Sequence, residues 1–237
     1  MLSDREKTRY ARQISLQDFG IEGQEKLKDS KVLIVGLGGL GSIEGLYLAA
    51  AGAGTIGLID GDRISLSNLQ RQILYREAQE GMPKASTAKG NLMQLNSNCR
   101  FQTYDFFLNR NNAEEIIRNY DMVMDASDNF ATRYLINDTC FKLRKAFVYC
   151  SISDMTAQIC LFDFKLSDRS YRDLFPEDMH DKDSSVKNNA VIGVLPAIAG
   201  SICVNEAIKH ITGMGNTLLN RLLTLDLSTN DFAVFDL

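Results

Sequence analysis

The stretch Lys31-Val-Leu-Ile-Val-Gly-Leu-Gly-Gly-Leu-Gly41 decides the fold. A short apolar run with β-branched residues predicts a buried strand, and this one ends directly in glycines. Gly36, Gly38 and Gly41 follow the G-x-G-x-x-G spacing, and a helix rich in Ala and Leu runs on to Gly52. Thr55 to Asp60 reads as the next strand, so Asp60 ends it 24 residues after Gly36. Strand, glycine turn, helix, strand and acid in this order make the dinucleotide fingerprint in the context it requires. The glycines let the backbone turn tightly and approach a ligand, and the helix N-terminus offers free N–H groups to phosphate. Asp60 would accept hydrogen bonds from ribose hydroxyls. The competing reading is close helix–sheet packing with nothing bound.

Outward from this core, strands and helices alternate. Ser3 and Glu6 predict a capping box for a helix to about Gln13, with a short helix at Gln24–Lys28. Pro83 opens a helix to about Asn96. Arg100–Tyr104 reads as a strand, Asn112–Asn119 as a helix and Asp121–Asp125 as a strand. A helix opening at Asp128 runs to about Lys145, followed by strands at Phe147–Ser151 and Gln158–Phe164. Lys165–Asn189 has 11 charged residues in 25 and no sustained periodicity, which predicts a loop or lid. Pro196 opens a helix that Gly213 ends, and Arg221–Asp226 and Phe232–Asp236 form a closing hairpin. The expected fold is α/β: a Rossmann-like mixed, mostly parallel sheet with helices on both faces. Ligands of such sheets bind beyond the carboxyl ends of the strands.

Several polar residues fall at those ends. Ser67-Asn-Leu-Gln-Arg71 follows the Asp60 strand, Lys84 starts the helix after Pro83, and Asp128-Asn129 follows the Asp121–Asp125 strand. Two cations, amides and a carboxylate suit a triphosphate with Mg²⁺, whereas a nicotinamide dinucleotide has two phosphates and no obligatory metal. The bland alternatives are solvated charges at Arg71 and Lys84 and a helix N-cap at Asp128.

Composition narrows the class. The 237 residues are 45% hydrophobic and 24% charged with a net charge of -4, which fits a soluble globular chain rather than a disordered one or a disulfide scaffold. No basic block points to a nucleic-acid partner. The polar Met1–Arg9 segment gives no expectation of a signal peptide, and the longest apolar stretch, Ala190–Cys203, is too short for a bilayer. Five scattered cysteines fit reduced thiols in the cytoplasm.

At this point the chain resembles a known family. Arg9-Tyr-Ala-Arg12-Gln-Ile, Phe19-Gly, Gly23-Gln-Glu-Lys-Leu and Val32–Gly41 resemble the ThiF/MoeB/HesA family, bacterial relatives of ubiquitin-activating enzymes. So do Ile59-Asp60-x-Asp62, Ser67–Gln72, Gly81-x-Pro-Lys84, Asp128-Asn-Phe-Ala-Thr-Arg133 and the Gly193–Gly213 region. The resemblance implies one adenylation domain across 1–237, with 165–189 as a flexible crossover loop. It implies an adenylyltransferase that uses ATP and Mg²⁺ to activate the C-terminal glycine of a small ubiquitin-like sulfur-carrier protein ending in Gly-Gly. Gly36, Gly38, Gly39, Gly41 and Asp60 would then hold the adenosine side. Asn68, Arg71 and Lys84 would hold the phosphates and Asp128 would bind Mg²⁺, with Ser67, Leu69, Gln70 and Asn129 also among the cofactor-binding residues. Arg12 matches an arginine that reaches the partner subunit's site, which implies a homodimer.

The chemistry is consistent. The nucleophile is a carboxylate already ionised at pH 7, so no general base is needed, and His180 and His210 read as solvated or cap-like. Many family members carry two Cys-x-x-Cys pairs for zinc and a crossover-loop cysteine. Here the corresponding stretches are Ser170-Tyr-Arg-Asp-Leu-Phe-Pro and Val186-Lys-Asn-Asn-Ala190, so no zinc site is expected. Cys99, Cys140, Cys150, Cys160 and Cys203 read as buried and inert, and sulfur would come from a separate donor. The remaining readings are adenylation of a peptide terminus or a modified tRNA base, a nicotinamide-dependent oxidoreductase, and a non-catalytic scaffold.

Overall fold

The computed structural model describes residues 1–176 and 190–237. Its centre is one eight-stranded sheet ordered β3-β2-β1-β4-β5-β6-β7-β8. The strands are β1 (Lys31–Val35), β2 (Thr55–Ile59), β3 (Arg100–Tyr104), β4 (Met122–Asp125), β5 (Ala146–Ser153), β6 (Thr156–Asp163), β7 (Arg221–Asp226) and β8 (Asp231–Asp236). The first five strands pair in parallel, and β5 to β8 are antiparallel. This is the expected mixed sheet.

Side-chain alternation along β1 builds two cores. Val32 and Ile34 enter one apolar cluster, while Leu33 and Val35 enter the other, as the strand period of two requires. The first cluster lies under α3 (Gly20–Asp29), α4 (Gly39–Ala51), α5 (Lys84–Leu95) and α9 (Leu195–Thr212). The second lies under α6 (Ala113–Ile117), α7 (Phe130–Leu143) and the short α8 (Tyr171–Leu174). Neither β1 nor β4 is an edge, so both strands are apolar on both faces.

The boundaries differ from the sequence expectation in four places. The first helix breaks into α1 (Asp4–Arg9) and α2 (Ala11–Ile14) at Tyr10, which is buried with its hydroxyl accepting from Asn96 Nδ2 at 2.8 Å. The capping box at Ser3 and Glu6 is present. The next helix, α3, is twice as long as expected. At α7 the N-cap is Asn129, not Asp128: Asn129 Oδ1 accepts from Thr132 N at 2.9 Å. The stretch from Lys165 to Pro176 is not structureless, because Tyr171 is buried among Tyr134, Tyr149 and Phe175, with ring centroids 4.9–5.2 Å away. The rest of the anticipated lid, and His180, lie outside the described residues.

Candidate active site

The sheet reverses its direction of growth between β1 and β4, since β1 leads to β2 on one side and β4 lies on the other. A cavity of about 320 Å³ opens at this switch point, beyond the carboxyl ends of β1, β2 and β4.

Gly36 leaves β1 with φ at +92°, and a Cβ there would lie 2.6 Å from the Ala126 carbonyl oxygen. The chain can make this turn because glycine tolerates the left-handed region. A Cβ on Gly41 would fall 2.0 Å from the Gly36 oxygen, so Gly41 serves helix–strand packing and does not line the cavity. Gly36, Gly38 and Gly39 do line it. Among the described residues no side chain caps α4, which leaves its N-terminal amides available to an anion.

Asp60 is buried beneath this loop and accepts from Leu37 N at 2.7 Å and Asp62 N at 2.8 Å. Burial pushes its carboxyl above the ordinary range, against the pull of Lys84 and the two amides. The Lys84 ammonium, on the first residue of α5, lies 3.1 Å from Asp62 and 3.9 Å from Asp60. Tyr75 ties the two elements together, donating to the Leu37 carbonyl at 3.1 Å and the Lys84 carbonyl at 3.4 Å.

A short 3₁₀ turn, Leu66–Asn68, carries the loop residues. Asn68, Arg71 and Gln72 line the cavity, with Gln72 Nε2 donating to Asn68 Oδ1 at 2.9 Å. Ser67, Leu69 and Gln70 do not line it. Ser67 Oγ bonds Ser65 Oγ at 2.8 Å, Leu69 packs on the first core, and the Gln70 carbonyl crowds Gly193. Asp128 and Asn129 both line the cavity from the loop after β4, with Asn129 Nδ2 donating to Asp128 Oδ1 at 3.3 Å. Arg12 is exposed on α2 and is not on the wall of its own chain's cavity.

The wall contains residues that the sequence reading did not select. Asp62 and Gln72 stood inside the quoted motifs, and so did Thr132 and Arg133, whereas Phe107, Ser127 and Val191 carried no local signal. Arg133 is buried and donates to the Ser127 carbonyl at 3.3 Å, with its guanidinium 5.8 Å from the Tyr149 ring centroid. Its charge opposes that of Asp125, whose carboxyl burial pushes upward. Glu44 of α4, which is not on the cavity wall, is fully enclosed; burial, and then repulsion from Asp125, push its carboxyl up to about 8.

All five cysteines are buried free thiols. Burial pushes Cys99 and Cys160 up to about 12 and raises Cys140 and Cys203 as well, which suits inert thiols. Among the described residues no group of three or more His, Cys, Asp or Glu could hold a metal ion. His210 lies 3.5 Å from Asp163 and is not part of the cavity wall.

Residues 10–237 match the ThiF family. The chain belongs to that family. It is 44% identical over 226 residues to the adenylyltransferase and sulfurtransferase MOCS3 of Drosophila persimilis, covering 95% of this ThiF-family chain and 50% of that protein. A probable molybdopterin-synthase adenylyltransferase of Porphyra purpurea is 40% identical over 232 residues, covering 97% and 60%. This ThiF-family chain thus spans about half the length of its MOCS3 relatives. Among solved structures, PaaA superposes with a TM-score of 0.85 at 28% identity, covering 99% of this chain and 74% of that one. E. coli MccB, solved with AMPCPP and MccA, superposes with a TM-score of 0.83 at 25% identity, covering 96% and 71%. The mostly parallel α/β architecture is therefore shared.

Proposed function

We propose that this ThiF-family chain is a single adenylation domain. It activates the C-terminal glycine carboxylate of a small ubiquitin-like sulfur-carrier protein with ATP, forming an acyl-adenylate and pyrophosphate. The observation that carries this reading is the cavity itself: the uncapped α4 N-terminus, Arg71, Lys84 and the Asp128 carboxylate line one space beside Asp60. The names of the MOCS3 and molybdopterin-synthase relatives support the choice of a sulfur carrier over other carboxylates.

The residues fit a triphosphate and Mg²⁺. Among the described residues, Arg133 Nε and Gln72 Oε1 on the wall are buried without a hydrogen-bond partner; the first is a donor that suits a phosphate oxygen, the second an acceptor that suits the water of a hydrated cation. Asp128 offers one hard oxygen donor set, as Mg²⁺ commonly takes when phosphates supply the rest. When bound, Mg²⁺ supplies neutralisation of phosphate charge. Arg71 and Lys84 hold the phosphates and stabilise the charge that moves onto the leaving pyrophosphate. Asp60 fixes the ribose side while its amide bonds keep the glycine loop in place. The incoming carboxylate is ionised at pH 7 and attacks the α-phosphorus directly, so the residues position and stabilise, and none removes a proton.

Arg12 would act in the site of a partner copy, making the active unit a homodimer. The product adenylate would pass to a separate sulfur donor, because the buried thiols offer no acceptor, and such thiols suit the cytoplasm. A second reading, adenylation of a peptide carboxylate, draws on the MccB structures solved with MccA. Carrier-dependent ATP–pyrophosphate exchange tests the proposal: exchange with a carrier ending in Gly-Gly and none with a carrier lacking that terminus is expected. Exchange supported by short peptides alone would favour the second reading.

A further inference from the structure

We propose that Gly193 is a positioning residue that sets Arg71 in the cavity, acting through the backbone of the turn that carries it. This rests on the nucleotide reading of the cavity and adds what places its phosphate cation. Arg71 has a long side chain with many rotamers, so it arrives preorganised only if its surroundings fix it. Its own turn does little of this. Arg71 Nη1 donates to the Ser67 carbonyl at 3.4 Å, longer than a strong N–H···O bond. The turn is also exposed, at Leu66, Ser67 and Gln70.

The element that fixes it is a strap running from the turn between β5 and β6 to the start of α9. Asp154 N donates to the Ala190 carbonyl at 2.9 Å, and the Asp154 carbonyl accepts from Ile192 N at 3.1 Å. Between these bonds, Val191 lines the cavity and packs on the first core. At the far end Leu195 and Pro196 are buried in the first turn of α9. The strap is thus anchored on both sides of Gly193.

Gly193 is not glycine for its backbone angles, because its φ lies outside the left-handed region. Space is the reason. A Cβ there would lie 2.5 Å from the Gln70 carbonyl oxygen and 2.7 Å from Gln70 Oε1. Strap and turn therefore meet at bare backbone, one residue before Arg71. A second contact bears on the side chain itself. A Cβ on Gly39 would fall 3.0 Å from Pro196 Cβ and Cγ and 3.5 Å from Arg71 Cγ, so Pro196 and the Arg71 stem close over the same point of the glycine loop. A methyl group at residue 193 would have to push the exposed turn, since the strap is anchored. Relief to ordinary contact takes a shift of roughly 1 Å, and a misplacement of that size can cost on the order of 10²-fold in rate.

The test is a double-variant cycle on carrier-dependent ATP–pyrophosphate exchange, with a carrier ending in Gly-Gly. Gly193→Ala should lower exchange about 10-fold or more at saturating Mg-ATP, with a urea unfolding curve close to wild type. In the Arg71→Ala background the same change should cost less than about twofold, because the group it displaces is gone. Losses that multiply would overturn the proposal, since Gly193 would then act on something other than Arg71. Exchange at the wild-type rate in Gly193→Ala would overturn it as well. Should Gly193→Ala not fold, Pro196→Ala trims the second contact, keeps a good helix former in the first turn of α9 and enters the same cycle. A wild-type protein that shows no exchange with any such carrier would overturn the adenylation reading instead. The same cycle run on Mg-AMPCPP affinity would then still decide the role of Gly193.

Discussion

The Lys84 ammonium lies 3.1 Å from the Asp62 carboxylate, with Lys84 only 5% exposed. Lys84 therefore arrives at the cavity already paired, and its charge is held near Asp60 as well. A positioned cation of this kind pays no reorganisation cost when phosphate charge develops.

Lys84→Ala and Arg71→Ala should each lower carrier-dependent ATP–pyrophosphate exchange by ~10²-fold or more. Their effects on stability should differ. Lys84→Ala leaves Asp60 buried without its cation and should cost about 1–3 kcal/mol in urea unfolding. Arg71 is half-buried and contributes little to the fold, so its variant should unfold as the wild type does. Near wild-type exchange in both variants would remove them from the site.

Asp128 and Asn129 are adjacent, and the roles proposed for them differ. Asn129→Ala should cost about 1 kcal/mol of stability through loss of the α7 cap. Asp128→Asn should leave stability unchanged and shift the Mg²⁺ dependence of exchange to much higher concentration. Parallel unfolding curves and Mg²⁺ titrations of the two variants separate a cap from a metal ligand.

Glu44 makes stability depend on pH. Its carboxyl is pushed from 4.5 to about 8 in the folded state, so between those values the folded chain holds a proton that the unfolded chain has released. Stability should fall as pH rises through that window, by up to about 1.4 kcal/mol per pH unit, and level off above the folded value. Glu44→Gln should flatten the slope. A slope identical to wild type in urea unfolding between pH 5 and pH 8 would show that Glu44 is charged in the fold.

The buried thiols give a chemical test. An aromatic disulfide reagent should label almost none of the five cysteines in the native protein and all five after denaturation. Adenylate formation should survive the treatment. Rapid native labelling coupled to loss of exchange would identify a working thiol.

Arg12 lies off its own cavity, so its proposed role requires a second subunit. Arg12→Ala and Arg71→Ala homodimers should each be nearly inactive. Mixed with full subunit exchange, they should recover about a quarter of wild-type activity per site, since half the dimers are mixed and each has one complete site. No recovery would remove Arg12 from the site.

The sheet, its glycine turn and the cations Arg71 and Lys84 were legible in the chain because each is a local signal. Residues 31–35 carry the apolar pattern of a buried strand, the 36–41 glycines state a turn, and Pro83 states a helix start. Other features depended on chain segments far apart in sequence. Asp62 is a loop acid until α5 brings Lys84 to it, and Phe107 is a loop aromatic until β3 carries it over Gly61. Tyr171 lies in a charged stretch without periodicity, and only the facing rings of α7 and β5 bury it. Asp128 and Asn129 are both good cap formers, and the backbone path out of β4 chose Asn129. Local composition thus determined the elements and their order, because periodicity and turn chemistry are properties of neighbouring residues. Tertiary structure alone decided which loop side chains meet, because those contacts form only after distant strands have paired.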